Sequence, residues 1–164
     1  MPKVKFAEIL AKVYCIEELT LAETNIIMPN TWPRDLLFYG KSLTKISIQI
    51  YSLDFNVEDL ANFMSQKSKN IVKIQLCCDT RHDPDKEKVV EKLKQNLSKH
   101  FIQISPQIPD LPCLSIYDFK NSQTLSLIGK FVLKTFKNML KPENLHFNNN
   151  NKVETMRISS FQCD

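Results

Sequence analysis

The sequence predicts an α/β protein: a mostly parallel sheet flanked by helices. Two segments, Lys45 to Tyr51 and Ile71 to Cys78, place apolar residues at period two, with Ile46, Ile48 and Ile50 on one face of the first, the pattern of half-buried strands. Between and after them run segments of helical period, so strands and helices alternate. Such alternation implies parallel strands joined by right-handed crossovers.

In chain order the reading is strand 46–53, helix 56–67, strand 71–78, helix 84–99, strand 101–105 and helix 122–140. Asn56 is a good N-cap, with Asp59 three residues on in a variant of the capping box, and Val57, Leu60, Ala61 and Met64 form one face. Pro84 suits the first helical position, Asp83 before it can cap, and the helix carries Val90, Leu93 and Leu97. After the strand at Phe101, prolines 106, 109 and 112 punctuate a connector into Leu114 to Tyr117, a possible short strand. The last helix is expected to dock through Leu125, Ile128, Val132, Phe136 and Met139, with Lys130, Lys134, Lys137 and Lys141 on the opposite face.

The first 45 residues are less regular. Phe6, Ile9, Leu10 and Val13 suggest a helix, Glu18 to Leu21 or Asn25 to Met28 could be strands, and Met28 to Pro33 reads as a loop. No internal repeat or linker divides the chain, so residues 1–145 are expected to form one domain and residues 146–164, with the run Asn148 to Asn151, a low-complexity mobile tail.

The 164 residues suit a single domain, and 43% hydrophobic with 24% charged residues is a globular composition. Only two glycines, Gly40 and Gly129, are present. Phosphate-cradling loops need several, because only glycine leaves backbone amides open to a ligand. A Rossmann fingerprint and a kinase-type glycine loop are therefore excluded. The net charge of +4 permits an acidic partner without demanding one. Five cysteines, Cys15, Cys77, Cys78, Cys113 and Cys163, form an odd set without a CxxC and without a signal peptide before them, which reads as reduced thiols in an intracellular, cytoplasmic protein. No apolar run reaches the length of a membrane span.

Three motifs could carry chemistry. Asp35 to Ser42 resembles the second half of a phosphate-binding P-loop, but Asp35 stands where the motif needs its first glycine and would repel the phosphate. The segment reads instead as a loop before Ile46, and no nucleotide binding is expected. Cys77, Cys78, Asp79, His82 and Asp83 form the densest reactive cluster, just beyond a strand's C-terminal end, with the makings of a thiol nucleophile or a zinc site. Adjacent strand cysteines point to opposite faces, however, so no shared catalytic or metal role is expected; His100 and His146 are isolated. The lysine face of the last helix, Lys130, Lys134, Lys137 and Lys141, offers a surface for an acidic partner, or otherwise a solvated face. No catalytic, cofactor or metal residue is assigned.

The order of elements from strand 46–53 to helix 122–140 resembles the second half of a small-GTPase-type domain, from that domain's fourth strand to its final helix, an incomplete Rossmann-like architecture. Within that superfamily Ile74 to Asp79, Lys99 to Pro106 and the continuation through Pro109-Asp110 resemble the catalytically dead adaptin-binding proteins that assist clathrin-adaptor assembly, and Ser115 to Asp118 before a long final helix resembles Rag-type GTPases. Asn-Lys-x-Asp is absent, the corresponding region reading Cys77-Cys78-Asp79-Thr80, and neither glycine has an Asp three residues before it. The resemblance implies a pseudo-GTPase: a non-enzymatic interaction subunit or assembly chaperone of a larger complex, with protein partners and no cofactor. The same succession also resembles the inactive nuclease-like subunits of the XPF family, which implies a nuclear protein binding branched DNA through the lysine face. Glu-Arg-Lys-x-x-x-Asp, that family's metal motif, is missing, so this alternative also implies no cleavage.

Overall fold

The computed structural model describes residues 3–22, 25–67, 72–107, 112–121, 123–139 and 155–157. Strand β1 (Val4–Lys5) leads directly into helix α1 (Phe6–Lys12), which buries Phe6 and Leu10 one turn apart. Strand β2 (Glu18–Leu21) follows, and β3 (Ile26–Ile27) pairs in parallel with β1 as a separate ribbon. Helix α2 (Trp32–Tyr39) starts where a loop was expected. Pro33 lies in its first turn, where a missing N–H costs nothing, and the Gly40 amide closes it by donating to the Leu36 carbonyl at 2.9 Å. The burial that selects a helix here is aromatic. Trp32 is inserted between Phe6, edge-on at 6.1 Å, and Phe55 at 5.5 Å.

Strand β4 (Lys45–Ile50), helix α3 (Val57–Gln66) and strand β5 (Lys73–Cys78) match their sequence patterns. The Asn56 side chain accepts the Asp59 amide at 3.0 Å, as the N-cap requires. Helix α4 (Lys86–Leu97) begins two residues later than Pro84. Asp83 does not cap it: its carboxylate accepts the Asp85 amide at 2.9 Å in a local turn, and its own amide is held by the Thr80 carbonyl. Strand β6 (Phe101–Ile104) is short and lies at the edge of the sheet.

The expected helix over 122–140 is absent. Strand β7 (Cys113–Asn121) turns back into β8 (Thr124–Leu133) as an antiparallel hairpin, followed by one 3-10 segment (Lys134–Met139). Two periodicities coincide in Thr124 to Leu133: Leu125, Leu127, Phe131 and Leu133 also lie at period two. The register shift between Ile116 and Tyr117 leaves Ile128 unpaired opposite the Gly129 and Leu127 pairings, a bulge that turns Ile128 to the core and mimics helical spacing. Gly129 weakens a helix, and the pairing of β8 with both β7 and β6 outweighs local preference. Strand β9 (Thr155–Arg157) pairs with the start of β8, inside the segment expected to be a mobile tail; the rest of 146–164 lies outside the described residues.

The main sheet runs in the order β2-β4-β5-β7-β8-β6. All its neighbours are parallel except those of β8. From β2 through β4 and β5 to β6 the chain always advances in the same direction across the sheet, so right-handed crossovers place all their helices on one face. On that face Leu19, Ile46, Ile48, Ile50, Ile74, Leu76, Leu114 and Ile116 form one buried core with the apolar sides of α1, α2 and α3 and with Leu93 and Leu97 of α4.

Candidate functional site

The opposite face of the sheet is different. Along β4, β5 and β7 the alternate positions are Ser47, Gln49, Gln75, Cys77, Ser115 and Tyr117, all partly exposed, and no helix among the described residues lies over them. Parallel sheets usually have both faces covered and read as continuous apolar runs. Here the strict alternation that identified the strands also produces a polar floor. At the β8–β6 end of the same face Ile104, Cys113 and Val132 are buried, and this bounds the floor.

Across the N-terminal ends of these strands the floor dips into a trough of about 330 Å³, lined by Lys45, Lys73, Lys130, Ser47, Gln75 and Ser115, with Cys113 among them. Register creates it: Glu18, Lys45, Lys73 and Cys113 are successive partners across β2, β4, β5 and β7, and Lys130 is the partner of Ser115. Lys45 is bridged to Glu18 at 3.0 Å, and the Lys130 ammonium donates to the Pro106 carbonyl at 3.2 Å. Burial pushes the Cys113 thiol up, against the pull of Lys130 and Lys73 nearby. The lysine set expected on a helix is therefore dispersed. Lys130 enters the trough and Lys134 is exposed in the 3-10 segment, while Lys141 and the side chain of Lys137 lie outside the described residues. Lys45 and Lys73, passed over in the sequence, take their place, because their neighbourhood exists only once β4 and β5 pair.

The reactive cluster at the other end of the sheet also resolves. Cys77 lies on the polar floor and Cys78 on the helix-covered face, 2% exposed, so the two thiols cannot meet one ion or substrate. Burial pushes both thiols up, Cys78 further because of the Asp118 carboxylate, and this disfavours a thiolate nucleophile. Asp79 forms a bidentate pair with Arg81 at 2.7 and 2.8 Å, which holds its carboxyl down to about 2. His82 is exposed on the turn, and no cluster of three metal-ligating residues occurs among the described residues.

What organises this end is Asp118, buried on β7 and passed over in the sequence. One of its oxygens accepts the Thr80 amide at 2.9 Å, the other the Thr80 hydroxyl at 2.8 Å and the Lys86 ammonium. Burial alone would raise its carboxyl, but Lys86 and the two Thr80 donors outweigh it and hold it below the ordinary value. A cleft of about 310 Å³ lies beside it, between the β4 and β5 ends and α4, and carries Tyr51, Asp54 and Lys92.

The P-loop-like segment is part of α2 and its closing turn. Asp35 sits inside the helix, its carboxyl raised by burial, and the Gly40 amide is spent on Leu36, so successive amides do not converge on a phosphate there. No family model, curated protein or solved structure matches this chain. No helix among the described residues is long and apolar enough to cross a membrane.

Proposed function

We propose that this protein is a non-enzymatic interaction subunit or assembly chaperone of a larger complex, and that it engages its partner through the polar face of its sheet. The observation that carries this reading is the partly exposed floor of Ser47, Gln49, Gln75, Cys77, Ser115 and Tyr117 on a mostly parallel sheet whose other face holds the helices. A second observation agrees. The groups best suited to chemistry are committed to one another: Asp118 to Thr80 and Lys86, Asp79 to Arg81, and the thiols to their protonated form.

The finer reading, a pseudo-GTPase-like chaperone acting on clathrin-adaptor subunits in the cytoplasm, rests only on the resemblance of Ile74 to Asp79, Lys99 to Pro106 with Pro109-Asp110, and Ser115 to Asp118. The helix that the resemblance implies after Asp118 is replaced by β8. The test is affinity purification of the tagged chain from its native cell with mass spectrometry of what accompanies it. A stoichiometric partner complex is expected, with adaptor subunits in it if the finer reading holds. A chain recovered alone would overturn the proposal.

A further inference from the structure

The cleft beside Asp118 opens outside the carboxyl ends of β4 and β5, where open α/β sheets take up their ligands. Its volume of about 310 Å³ lies at the small end of the range of ligand pockets. Leu53, Val89 and Leu93 give it an apolar floor, and Ser52, Asp54, Lys92 and Asn96 stand around them. These polar groups have partners within the chain but are not saturated by them. The Lys92 ammonium donates to one Asp54 oxygen at 3.5 Å, a long contact that uses one of its three protons and leaves the other carboxylate oxygen for a further bond. The side-chain oxygen of Asn96 accepts from Lys99 at 3.3 Å, so its two amide protons stay available. The Ser52 hydroxyl accepts the Asp54 amide at 3.1 Å and keeps its own proton. Tyr51 lines the same cleft and is 63% exposed, so much of its ring is open to a ligand.

We infer that this cleft is a binding site for a small, neutral, polyhydroxylated ligand: a mono- or disaccharide without phosphate. Its occupancy is independent of any partner held on the polar floor. A sugar ring presents a C–H face and an edge of adjacent hydroxyls, and the cleft presents the complement of each. Leu53, Val89, Leu93 and the Tyr51 ring suit the face. Each hydroxyl can both donate and accept, so two adjacent ones can donate to Asp54 and accept from Lys92 without parting that pair. Asn96 and Ser52 can donate to a third. A phosphorylated ligand would meet the like charges of Asp54, Asp79 and Asp83 in the lining. A cation would have to compete for carboxylates already bonded, Asp54 to Lys92, Asp79 to Arg81 and Asp83 to the Asp85 amide. A zwitterion such as an amino acid would have to part Asp54 from Lys92. A wholly apolar ligand would cover that pair and replace none of the water it loses.

The probes are glucose, galactose, mannose, maltose and lactose, each titrated to about 20 mM, enough to reveal millimolar affinity, against the full ¹⁵N-labelled chain by NMR. At least one is expected to move the backbone amides of Ser52, Asp54, Thr80, Lys92 and Asn96 saturably. Glucose 6-phosphate and leucine should move them less. Asp54→Ala or Asn96→Ala should weaken binding about tenfold each, the loss of one or two hydrogen bonds, with Lys45→Gln at the opposite end of the sheet unchanged. The Asp54 side chain is 61% exposed, so its variant should fold, and unshifted amides elsewhere in the spectrum check this. If none of the five saccharides moves these amides, or if saturable shifts fall on another part of the chain, the inference is overturned. Equal binding by the folded Asp54→Ala variant and by Asn96→Ala overturns it as well. Tighter binding of glucose 6-phosphate or of leucine overturns it in favour of an anionic or a zwitterionic ligand.

Discussion

The hydroxyl of Thr80 and the carboxylate of Asp118 meet at 2.8 Å, joining the loop after β5 to the middle of β7, 38 residues away in sequence. The Thr80 amide donates to the other oxygen of the same carboxylate at 2.9 Å, and Lys86 at the start of α4 completes the shell. One buried side chain thereby fixes where β5 ends and where the next helix begins. A buried, fully bonded carboxylate is expensive to disturb. Asp118→Ala is expected to cost about 2–4 kcal/mol in denaturant melts, because Lys86, 46% exposed, can recover water while the Thr80 donors cannot. Thr80→Val, which keeps the shape and removes the hydroxyl, should cost about 1.5–3 kcal/mol, the range for a hydrogen bond to a charged group. A neutral result for both would mean that the shell is not formed.

The same carboxyl contributes to the acid limb of stability, beside Asp79, whose carboxyl Arg81 also holds down. Because it is held below 3.8 in the folded chain, the unfolded chain takes up its proton first as the pH falls, so the contribution is full above about pH 4 and is lost as the pH drops toward the folded value. Cys78 works at the other limb. Its thiol is raised above the ordinary 9.0, so the unfolded thiol ionises first and stability declines as the pH rises past about 9. Melts from pH 2.5 to 10.5 should show both slopes. Asp118→Asn should flatten the first and Cys78→Ala the second, and an unchanged acid slope in Asp118→Asn would contradict the assignment.

Thiol accessibility follows from the two faces of β5. Among the described cysteines, alkylation at neutral pH should reach exposed Cys15 first and Cys77 on the polar floor more slowly, while Cys78 and Cys113 react only on unfolding. Peptide mapping after timed iodoacetamide exposure checks the order. Modification of Cys78 at the rate of Cys15 would show that the helix layer does not cover it.

Trp32 is 2% exposed and holds α1, α2 and the loop before α3 together through Phe6 and Phe55. Its fluorescence should be blue-shifted in the native protein and move red in a single step with unfolding. Trp32→Ala should cost about 3–5 kcal/mol. Because Nε1 meets no hydrogen-bond partner among the described residues, Trp32→Phe should lose less than Trp32→Ala, and equal losses would mean that the indole edge matters more than its packing.

The hairpin can be tested at Gly129. A Cβ there would come within 2.6 and 2.8 Å of the Phe131 ring, so Gly129→Ala should destabilise by about 1–3 kcal/mol by overpacking. In a helix the same change would be stabilising by roughly 1 kcal/mol. The sign of the change therefore distinguishes the strand from the helix that the sequence suggests.

That helix marks the boundary between what local sequence determines and what it does not. The alternation in Lys45 to Ile50 and Lys73 to Cys78, the Asn56 cap and the face of Val57, Leu60, Ala61 and Met64 are written within a few residues, and each recurs in the fold. So are the opposed faces of Cys77 and Cys78. Leu125 to Phe136 fits two periods at once, and only pairing with β7 and β6 selects the strand. Asp118 looks like an ordinary strand-end carboxylate until Thr80 and Lys86 arrive from β5 and α4. Nor could the trough be read locally: Lys45, Lys73 and Lys130 lie on three strands, and nothing within a few residues of any one of them in the sequence points to the other two. A helix or strand answers to neighbours within a turn or two, so its pattern is local. The choice between coincident periods, the face on which the crossover helices fall and the meeting of distant charges depend on register and direction of winding, which exist only once the sheet has formed.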